Sequence, residues 1–299
     1  MKLAFRTPAK INLGLFVLGK RDDGFHELET LFQMVSLYDE IELESREQDI
    51  ALECDAPGIP TDGTNLAVRA AEMLRESVPA AAGRGCRIRL KKHIPAGAGL
   101  GGGSGNAAYV LWGLNRLWDL KLERSALHEF AARLGSDIPF FLSAPQAVGR
   151  GRGELLEPLE PSEKMHLVII FPRLVVPTGE VYRGLNLELT TPPKTISILQ
   201  KFFSRSDVAG LAAHLHNDLE PYVLQRFPVV KQARDALSAL DAEGVLLSGS
   251  GSAVFGIFSS REQAEQAFTR LQATDWDVFV AETVSRFAEF LPEEMLDYP

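Results

Sequence analysis

The sequence predicts an α+β protein built from two domains. Its 299 residues exceed the usual length of one domain, and a chain of this size can bury about three quarters of its unfolded surface. Strand and helix patterns alternate along the chain, and the second half places a helix between antiparallel-type strands. The segment 149–153, Gly-Arg-Gly-Arg-Gly, frees the backbone just before a new buried strand. We therefore predict domains at 1–153 and 154–299.

The first half is predicted to contain four strands and three helices. From Ala9 to Val17 the odd positions are apolar, whereas Lys10, Asn12 and Gly14 lie between them, which is the period-2 pattern of a half-buried strand. Lys10 is therefore expected to point away from the core side of its strand. Apolar spacing predicts the other elements: strands at 30–37, 40–44 and 86–90, and helices at 64–74, 107–117 and 123–134, the last ended by Gly135.

The second half begins with the continuously apolar stretch 167–171, typical of a buried strand. Helical spacing follows at 196–203, 208–214 and 229–242, then strands at 244–247 and 253–258, a helix at 261–272 and a strand at 276–282. This order predicts a split α+β second domain.

Composition excludes several functional classes. The chain is 45% hydrophobic and 24% charged, with a net charge of −9, as in globular proteins that bind neither nucleic acid nor anionic membranes through bulk charge. We find no apolar stretch of membrane-spanning length and no signal-peptide core. Cys54 and Cys86 form no CxxC motif or zinc spacing. We therefore expect reduced thiols in a cytoplasmic protein with no structural metal.

The most informative segment is the glycine-rich run at 95–108, directly upstream of a predicted helix. Glycine lets backbone N–H groups approach an anion at a helix N-terminus, so the run predicts a phosphate cradle. A flexible surface loop is the ordinary alternative. Gly97, Gly99 and Gly102 match GxGxxG, but the preceding strand alternates, unlike that of a dinucleotide fold. A Walker A loop is excluded because no Lys-Ser/Thr pair follows.

Two charged residues are candidates for chemistry. Asp137 precedes four apolar residues, a position in which an acid usually has a partner or a task. Taken alone, Asp137 could also be a helix-cap or turn residue, and Lys10 an exposed strand lysine. Their combination with the glycine-rich run favours a function for both.

Five short motifs follow one another along most of the chain: 8–13 (PAKINL), 24–26 (GFH), 95–108, 136–139 (SDIP) and 248–253 (SGSGSA). In this order they resemble the galactokinase, homoserine kinase, mevalonate kinase and phosphomevalonate kinase (GHMP) superfamily. The GFH element and Pro177-Thr178 followed by Tyr182 are similar to a subfamily that phosphorylates 4-diphosphocytidyl-2-C-methyl-D-erythritol. The resemblance implies an N-terminal α/β domain, a C-terminal ferredoxin-like domain and an active site in the cleft between them.

The resemblance also implies the reaction and its participants. The γ-phosphoryl group of ATP would pass to the C2 hydroxyl of this small-molecule substrate, giving the 2-phosphate and ADP in the non-mevalonate isoprenoid pathway. Mg²⁺ is expected with ATP, held mostly by phosphate and water. We expect a monomer or weak homodimer.

Residue roles follow from the resemblance position by position. Asp137 would be the catalytic base and Lys10 its cationic neighbour, which is chemically reasonable because an ionised aspartate can orient an alcohol and accept its proton. Asn65 and Leu66 would lie near the adenine. The phosphate cradle would comprise Pro95, Gly97, Gly99, Leu100, Gly101, Gly102, Gly103, Ser104, Gly105 and Asn106. The substrate would contact Asn12, Phe25, His26, Asp137, Thr178, Tyr182, Gly249 and Ser250.

Within that substrate set, Phe25 and Tyr182 would stack on the cytosine and His26 would read its edge. Without the resemblance, the residues themselves favour the simpler interpretation of Phe25 and Tyr182 as core or surface aromatics and of His26 as an ordinary loop histidine. Many relatives carry two serines and an acid in the loop, whereas here Ser104 alone keeps the hydroxyl. Arg150 and Arg152 are candidate phosphate ligands, but the family pattern at this position needs mainly the glycines, so we expect both arginines in a solvated turn.

Three alternatives remain at this level. The chain could phosphorylate a mevalonate-type or sugar substrate, it could be a nucleotide-binding sensor without catalysis, or it could be a Rossmann oxidoreductase that prefers NAD. Acceptor assays, ADP production and nucleotide titrations distinguish them.

Overall fold

Residues 1–185 and 196–296 are described by the computed structural model of this chain. Their first sheet has seven strands in the order β3-β4-β2-β1-β8, with β5 pairing β2 and β6 pairing β5. The strands are β1 (Lys2–Lys20), β2 (His26–Arg46), β3 (Ile50–Cys54), β4 (Gly85–Lys91), β5 (Gln146–Arg150), β6 (Leu155–Pro158) and β8 (His216–Asn217). The long antiparallel pair β1/β2 forms its centre.

Four helices cover one face of this sheet: α1 (Leu66–Ser77), α2 (Gly102–Leu117), α3 (Arg124–Leu134) and α4 (Ile138–Ser143). Helix α2 is almost entirely buried. It packs with α1 and α4 over Phe5, Leu43 and Ile88 of the strands, burying the main apolar core of this half. As predicted, α3 ends at Gly135, whose N–H donates to the carbonyl of Ala131.

The second sheet has the order β11-β7-β10-β9, with antiparallel neighbours throughout. Its strands are β7 (His166–Phe171), β9 (Gly244–Leu247), β10 (Val254–Phe258) and β11 (Asp277–Glu282). The helices of this half are α5 (Thr178–Gly184), α6 (Ile196–Ser204), α7 (Val208–Ala212), α8 (Glu220–Arg226), α9 (Pro228–Ser238) and α10 (Arg261–Leu271). The succession β7-α9-β9-β10-α10-β11 in this order is ferredoxin-like, which confirms the predicted fold class.

The two sheets share a core. Ile11 and Leu13 of β1 pack in one apolar cluster with Ile169 of β7 and Phe255 of β10. This packing corrects the prediction of a half-buried first strand, because both faces of β1 are buried from Thr7 to Val17. Leu3 and Phe5 of β1 pack with the helices of the first half, whereas Ala9, Ile11 and Leu13 pack with the second sheet.

Several elements differ from the predicted ones. The strands predicted at 30–37 and 40–44 form one continuous strand, β2. The short elements β3, β5, β6, β8, α4, α5 and α8 were not predicted. The domain limit at 153 remains a prediction, although β6 extends the first sheet to Pro158 and residues 287–295 return to the first core. No helix in the described ranges is long and apolar enough to cross a membrane.

Candidate active site

A cleft with a volume of about 200 Å³ opens between the two sheets. Its walls come from β1 and β2, from the glycine-rich loop before α2, from α5 and from the turn at 249–251. Of the residues predicted for the site, it is lined by Lys10, Asn12, Gly97, Gly99, Gly101, Asp137, Thr178, Tyr182, Gly249 and Ser250.

Lys10 lies at the floor of this cleft with only 3% of its surface exposed. Its Nζ donates to Asn12 Oδ1 at 2.7 Å and lies 5.5 Å from the centre of the Phe32 ring. Asn12 Nδ2 in turn donates to Thr30 Oγ1 at 2.7 Å. These contacts hold the ammonium in place, so Lys10 is not the exposed strand lysine that the sequence left open.

Asp137 faces Lys10 across the cleft. Asp137 Oδ2 lies 3.4 Å from Lys10 Nζ, and its side chain is 38% exposed against 4% for Lys10. Asp137 immediately precedes α4, but its carboxylate makes no capping hydrogen bond there. A carboxylate that is not used for capping can accept a proton from a molecule in the cleft.

The glycine-rich loop is held against both sheets. Gly97, Gly99 and Gly101 have φ values of 68°, 78° and 70°, a region that glycine adopts without strain. The N–H of Lys10 donates to the carbonyl of Leu100 at 2.8 Å, and Ser248 Oγ donates to the carbonyl of Gly99 at 3.0 Å. The loop is therefore an ordered part of the cleft wall, and the flexible-loop alternative is wrong.

Helix α2 begins directly after this loop, with Gly101 as its N-cap. The N–H groups of Gly102, Gly103 and Ser104 have no acceptor within the helix. Together with the helix dipole they favour an anion at this end of the cleft. Phosphate binding by these N–H groups remains a prediction.

Two predicted cradle residues serve a different purpose. Asn106 is buried, with Oδ1 accepting from Thr7 Oγ1 at 2.6 Å and Nδ2 donating to Asp39 Oδ2 at 3.0 Å. The N–H of Gly105 donates to the carbonyl of Gly101 at 2.8 Å and so closes the helix. Both residues support the glycine-rich loop from behind, and their contact with a nucleotide remains a prediction.

Asp39 is the centre of this support and was not anticipated from the sequence. Its fully buried carboxylate accepts from the N–H groups of His93 and Ile94, both at 2.8 Å, and from Lys92 Nζ at 2.6 Å. Burial lowers the pKa of Lys92, and the charge of Asp39 opposes that effect. Because Asp39 also accepts from Asn106 in α2, it joins the residues just before the glycine-rich loop to the helix after it.

Asn65 and Leu66 lie beside the N-terminal end of α2. A Cβ added to Gly103 would be 3.8 Å from Leu66 Cδ1. Asn65 caps α1, its Oδ1 accepting from the N–H of Ala67 at 2.9 Å, while its Nδ2 donates to the carbonyl of Pro60 at 2.7 Å. The side chain of Asn65 is thus engaged within the protein, and the adenine contact of both residues remains a prediction.

Of the three residues predicted for the cytosine, Tyr182 lines the cleft, and His26 and Phe25 each contact a residue that does. The rings of His26 and Tyr182 are stacked with centroids 5.0 Å apart, and Phe25 is exposed. Burial, with a smaller effect of Lys20, lowers the pKa of His26 and so favours the neutral imidazole. Burial also raises the pKa of Tyr182, and the charge of Asp137 adds to this effect.

Other cleft residues were missed by sequence reasoning: Leu15, Leu28, Thr30, Phe32, Arg152, Val176 and Gly251. Thr30 and Phe32 reach the site because β2 pairs with β1 in a register that places Phe32 opposite Asn12. No sequence pattern specified that register. Arg152 was expected in a solvated turn, whereas it lines the cleft and contacts Phe25.

A larger cavity of about 910 Å³ lies elsewhere, between β1 to β4 and residues 288–292. Its walls include neither the glycine-rich loop nor Lys10 and Asp137. Its charged residues pair with one another, Arg89 with Glu42 and Lys91 with Glu40. The chemistry therefore assigns the site to the smaller cleft.

Comparisons with known proteins agree with this geometry. Residues 65–144 match the family described as GHMP kinases N terminal domain, and residues 199–275 match GHMP kinases C terminal. The chain is 38% identical over 287 residues to a 4-diphosphocytidyl-2-C-methyl-D-erythritol kinase of Alkaliphilus metalliredigens, covering 95% of this chain and 98% of the relative. It is 41% identical over 284 residues to the protein of the same name from Syntrophotalea carbinolica, covering 94% and 99%.

Solved structures give the same result. A crystal structure of 4-(cytidine 5'-diphospho)-2C-methyl-D-erythritol kinase has a TM-score of 0.78 and 38% identity, covering 94% of this chain and 98% of that one. A homoserine kinase from Cytophaga hutchinsonii has a TM-score of 0.74 at 19% identity, covering 95% of each chain, and shows the fold alone.

Proposed function

The chain belongs to the GHMP kinase family and, within it, to the 4-diphosphocytidyl-2-C-methyl-D-erythritol kinases, and we propose that Lys10 and Asp137 perform its reaction in the cleft. It is an ATP-dependent kinase that phosphorylates 4-diphosphocytidyl-2-C-methyl-D-erythritol in the non-mevalonate isoprenoid pathway. The acceptor is the C2 hydroxyl, and the products are the 2-phosphate and ADP. The 3.4 Å contact between Lys10 Nζ and Asp137 Oδ2 is the observation that carries the assignment of roles.

Asp137 orients the acceptor and receives its proton. A tertiary alcohol is a weak nucleophile, and a carboxylate within hydrogen-bond reach increases the electron density on its oxygen as the new P–O bond forms. Lys10 supplies a fixed positive charge beside the reacting groups, where charge moves during transfer. Its contacts with Asn12 and the Phe32 ring hold that charge in position before the reactants arrive.

ATP is held by the glycine-rich loop and the first turn of α2. Backbone N–H groups of Gly102, Gly103 and Ser104 bind its phosphates, because they point out of the helix end and lack internal acceptors. Mg²⁺ accompanies the nucleotide. In the described residues there is no group of three or more His, Cys, Asp or Glu side chains that could hold a metal ion.

The cytidine end of the substrate lies against Phe25, His26 and Tyr182. The aromatic rings supply area for stacking. A neutral imidazole has one N–H donor and one acceptor nitrogen, so it can read the edge of a base by hydrogen bonding. Thr178 and Ser250, whose hydroxyl groups are 2.8 Å apart, border the substrate from the second domain.

We further propose that the enzyme acts in the cytoplasm as a monomer or weak homodimer. Both cysteines are free thiols, and burial raises the pKa of Cys86 to about 12. Unpaired thiols are typical of a reducing compartment. Sedimentation velocity measurements test the oligomeric state.

The decisive experiment is the substitution Asp137→Asn, which keeps the shape of the side chain but removes the base. We expect kcat to fall by roughly 10² to 10⁴, while the affinity for ATP stays within a factor of about two. Asp119→Asn is the matched control, because Asp119 is exposed and has a positive φ that asparagine tolerates. Near-normal turnover of Asp137→Asn would contradict the assigned role, and preference for an acceptor without cytidine would contradict the substrate.

A further inference from the structure

Arg152 occupies an unexpected position in the cleft. Its guanidinium carbon lies 4.8 Å from the centre of the Phe25 ring, and its side chain is 29% exposed. The next residue, Gly153, borders the catalytic carboxylate, since a Cβ added there would lie 4.0 Å from Asp137 Oδ1. Arg152 thus lies along the wall that connects Phe25 to Asp137.

The charges in the cleft distinguish Arg152 from Lys10. The charged side chains lining the cleft, among residues the structure describes, are Lys10, Asp137 and Arg152. Lys10 already faces Asp137. Arg152 Nε has a looser contact, 3.5 Å from Glu154 Oε1, and neither of its Nη groups donates a hydrogen bond within 1–185 or 196–296. These N–H donors are therefore available to a ligand.

The proposed substrate has a matching anion. It consists of a cytidine base and ribose, a diphosphate and then the methylerythritol that carries the reacting hydroxyl. If the base meets Phe25 and the hydroxyl meets Asp137, the diphosphate crosses the wall formed by Arg152. Arginine presents several N–H donors in a planar fork that suits phosphate oxygens.

We propose that Arg152 is a specificity-determining residue that binds the diphosphate of the nucleotide-linked substrate. This inference rests on the proposed function and adds a residue to it. Contact with Phe25 limits the conformations of the guanidinium, so less entropy is lost when a phosphate binds. The residue discriminates between a cytidine diphosphate derivative and an acceptor without phosphate.

The test compares ligands that differ only in phosphate. Isothermal titration calorimetry with cytidine, CMP and CDP is performed on the wild-type enzyme and on Arg152→Gln. We expect the substitution to weaken CDP binding about tenfold, as for loss of one charge-assisted hydrogen bond, and to leave cytidine binding unchanged. KM for the substrate rises by a similar factor, while KM for ATP and kcat change little. Arg152→Lys keeps the charge and retains part of the CDP preference.

Arg150→Gln is the matched control. Arg150 lies in the same turn but pairs with Glu29 and Glu157, so its removal leaves the ratio of CDP to cytidine affinity unchanged. An equal loss of cytidine and CDP affinity in Arg152→Gln would show that Arg152 only supports the Phe25 ring, and would overturn the inference. Unchanged CDP affinity would also overturn it. Failure of the wild-type enzyme to phosphorylate the substrate would instead refute the proposed function.

Discussion

The buried pair behind the glycine-rich loop gives the most demanding test of the structure. Asp39 and Lys92 are almost completely buried, with Asp39 Oδ2 and Lys92 Nζ 2.6 Å apart. Lys92 Nζ would also lie 2.9 Å from a Cβ added to Gly102, so the pair touches the first residue of α2. The substitution Asp39→Asn keeps one oxygen for the N–H groups of His93 and Ile94 but removes the negative charge.

Asp39→Asn should lower stability because the buried ammonium of Lys92 loses its charged partner. Breaking a buried ion pair by removing one partner leaves an uncompensated charge and costs about 3 to 5 kcal/mol. For a chain of this size the loss corresponds to a fall in Tm of roughly 5 to 15 °C. Adding Lys92→Met removes the second charge, so the double variant should be more stable than Asp39→Asn alone. Displacement of the glycine-rich loop should also raise KM for ATP in Asp39→Asn.

Urea unfolding and differential scanning calorimetry measure these differences. Glu40→Gln is the matched control, because it is the neighbouring residue, undergoes the same chemical change and is exposed on the strand. We expect it to change stability by less than about 1 kcal/mol. If Asp39→Asn unfolds within about 1 kcal/mol of the wild type, or if the double variant is the less stable one, the reasoning from burial is refuted.

Two further predictions concern the glycine-rich loop and His26. Gly99→Ala places a Cβ 2.2 Å from the Ser248 carbonyl oxygen and should raise KM for ATP about tenfold. Gly83→Ala is the control, because Gly83 has a similar φ of 75° but open space around it, and it should leave KM for ATP unchanged. Equal kinetics in the two variants would contradict the packing argument. The pKa of His26, measured by NMR, should lie below its ordinary value of about 6.5 because of burial. At pH values between the folded and unfolded pKa of His26, the unfolded chain binds more protons than the folded one. The contribution of His26 to stability is therefore lost as pH falls through that range. A measured pKa above the ordinary value would refute the effect of burial.

The elements with a local signature could be predicted from the sequence. The alternation around Lys10 predicts a strand, and Gly135 ends a helix as expected. The glycine-rich run adopts the positive φ values that glycine permits and leads into α2, while its binding of an anion remains a prediction. These properties depend on residues a few positions apart, which is why a linear pattern contains them. The order of the motifs was sufficient to indicate the family and its ferredoxin-like second domain.

The site itself depended on contacts between distant segments. The burial of Lys10, the position of Asp39 behind the loop and the entry of Arg152 into the cleft arise from strand register and from packing of the second sheet on β1. A shift of one residue in strand register would turn every side chain to the opposite face, and no local pattern specifies which strands meet. The sequence by itself determined the chemical groups and the family; only the tertiary structure decided which groups share a cleft, because that depends on how distant apolar surfaces pack together.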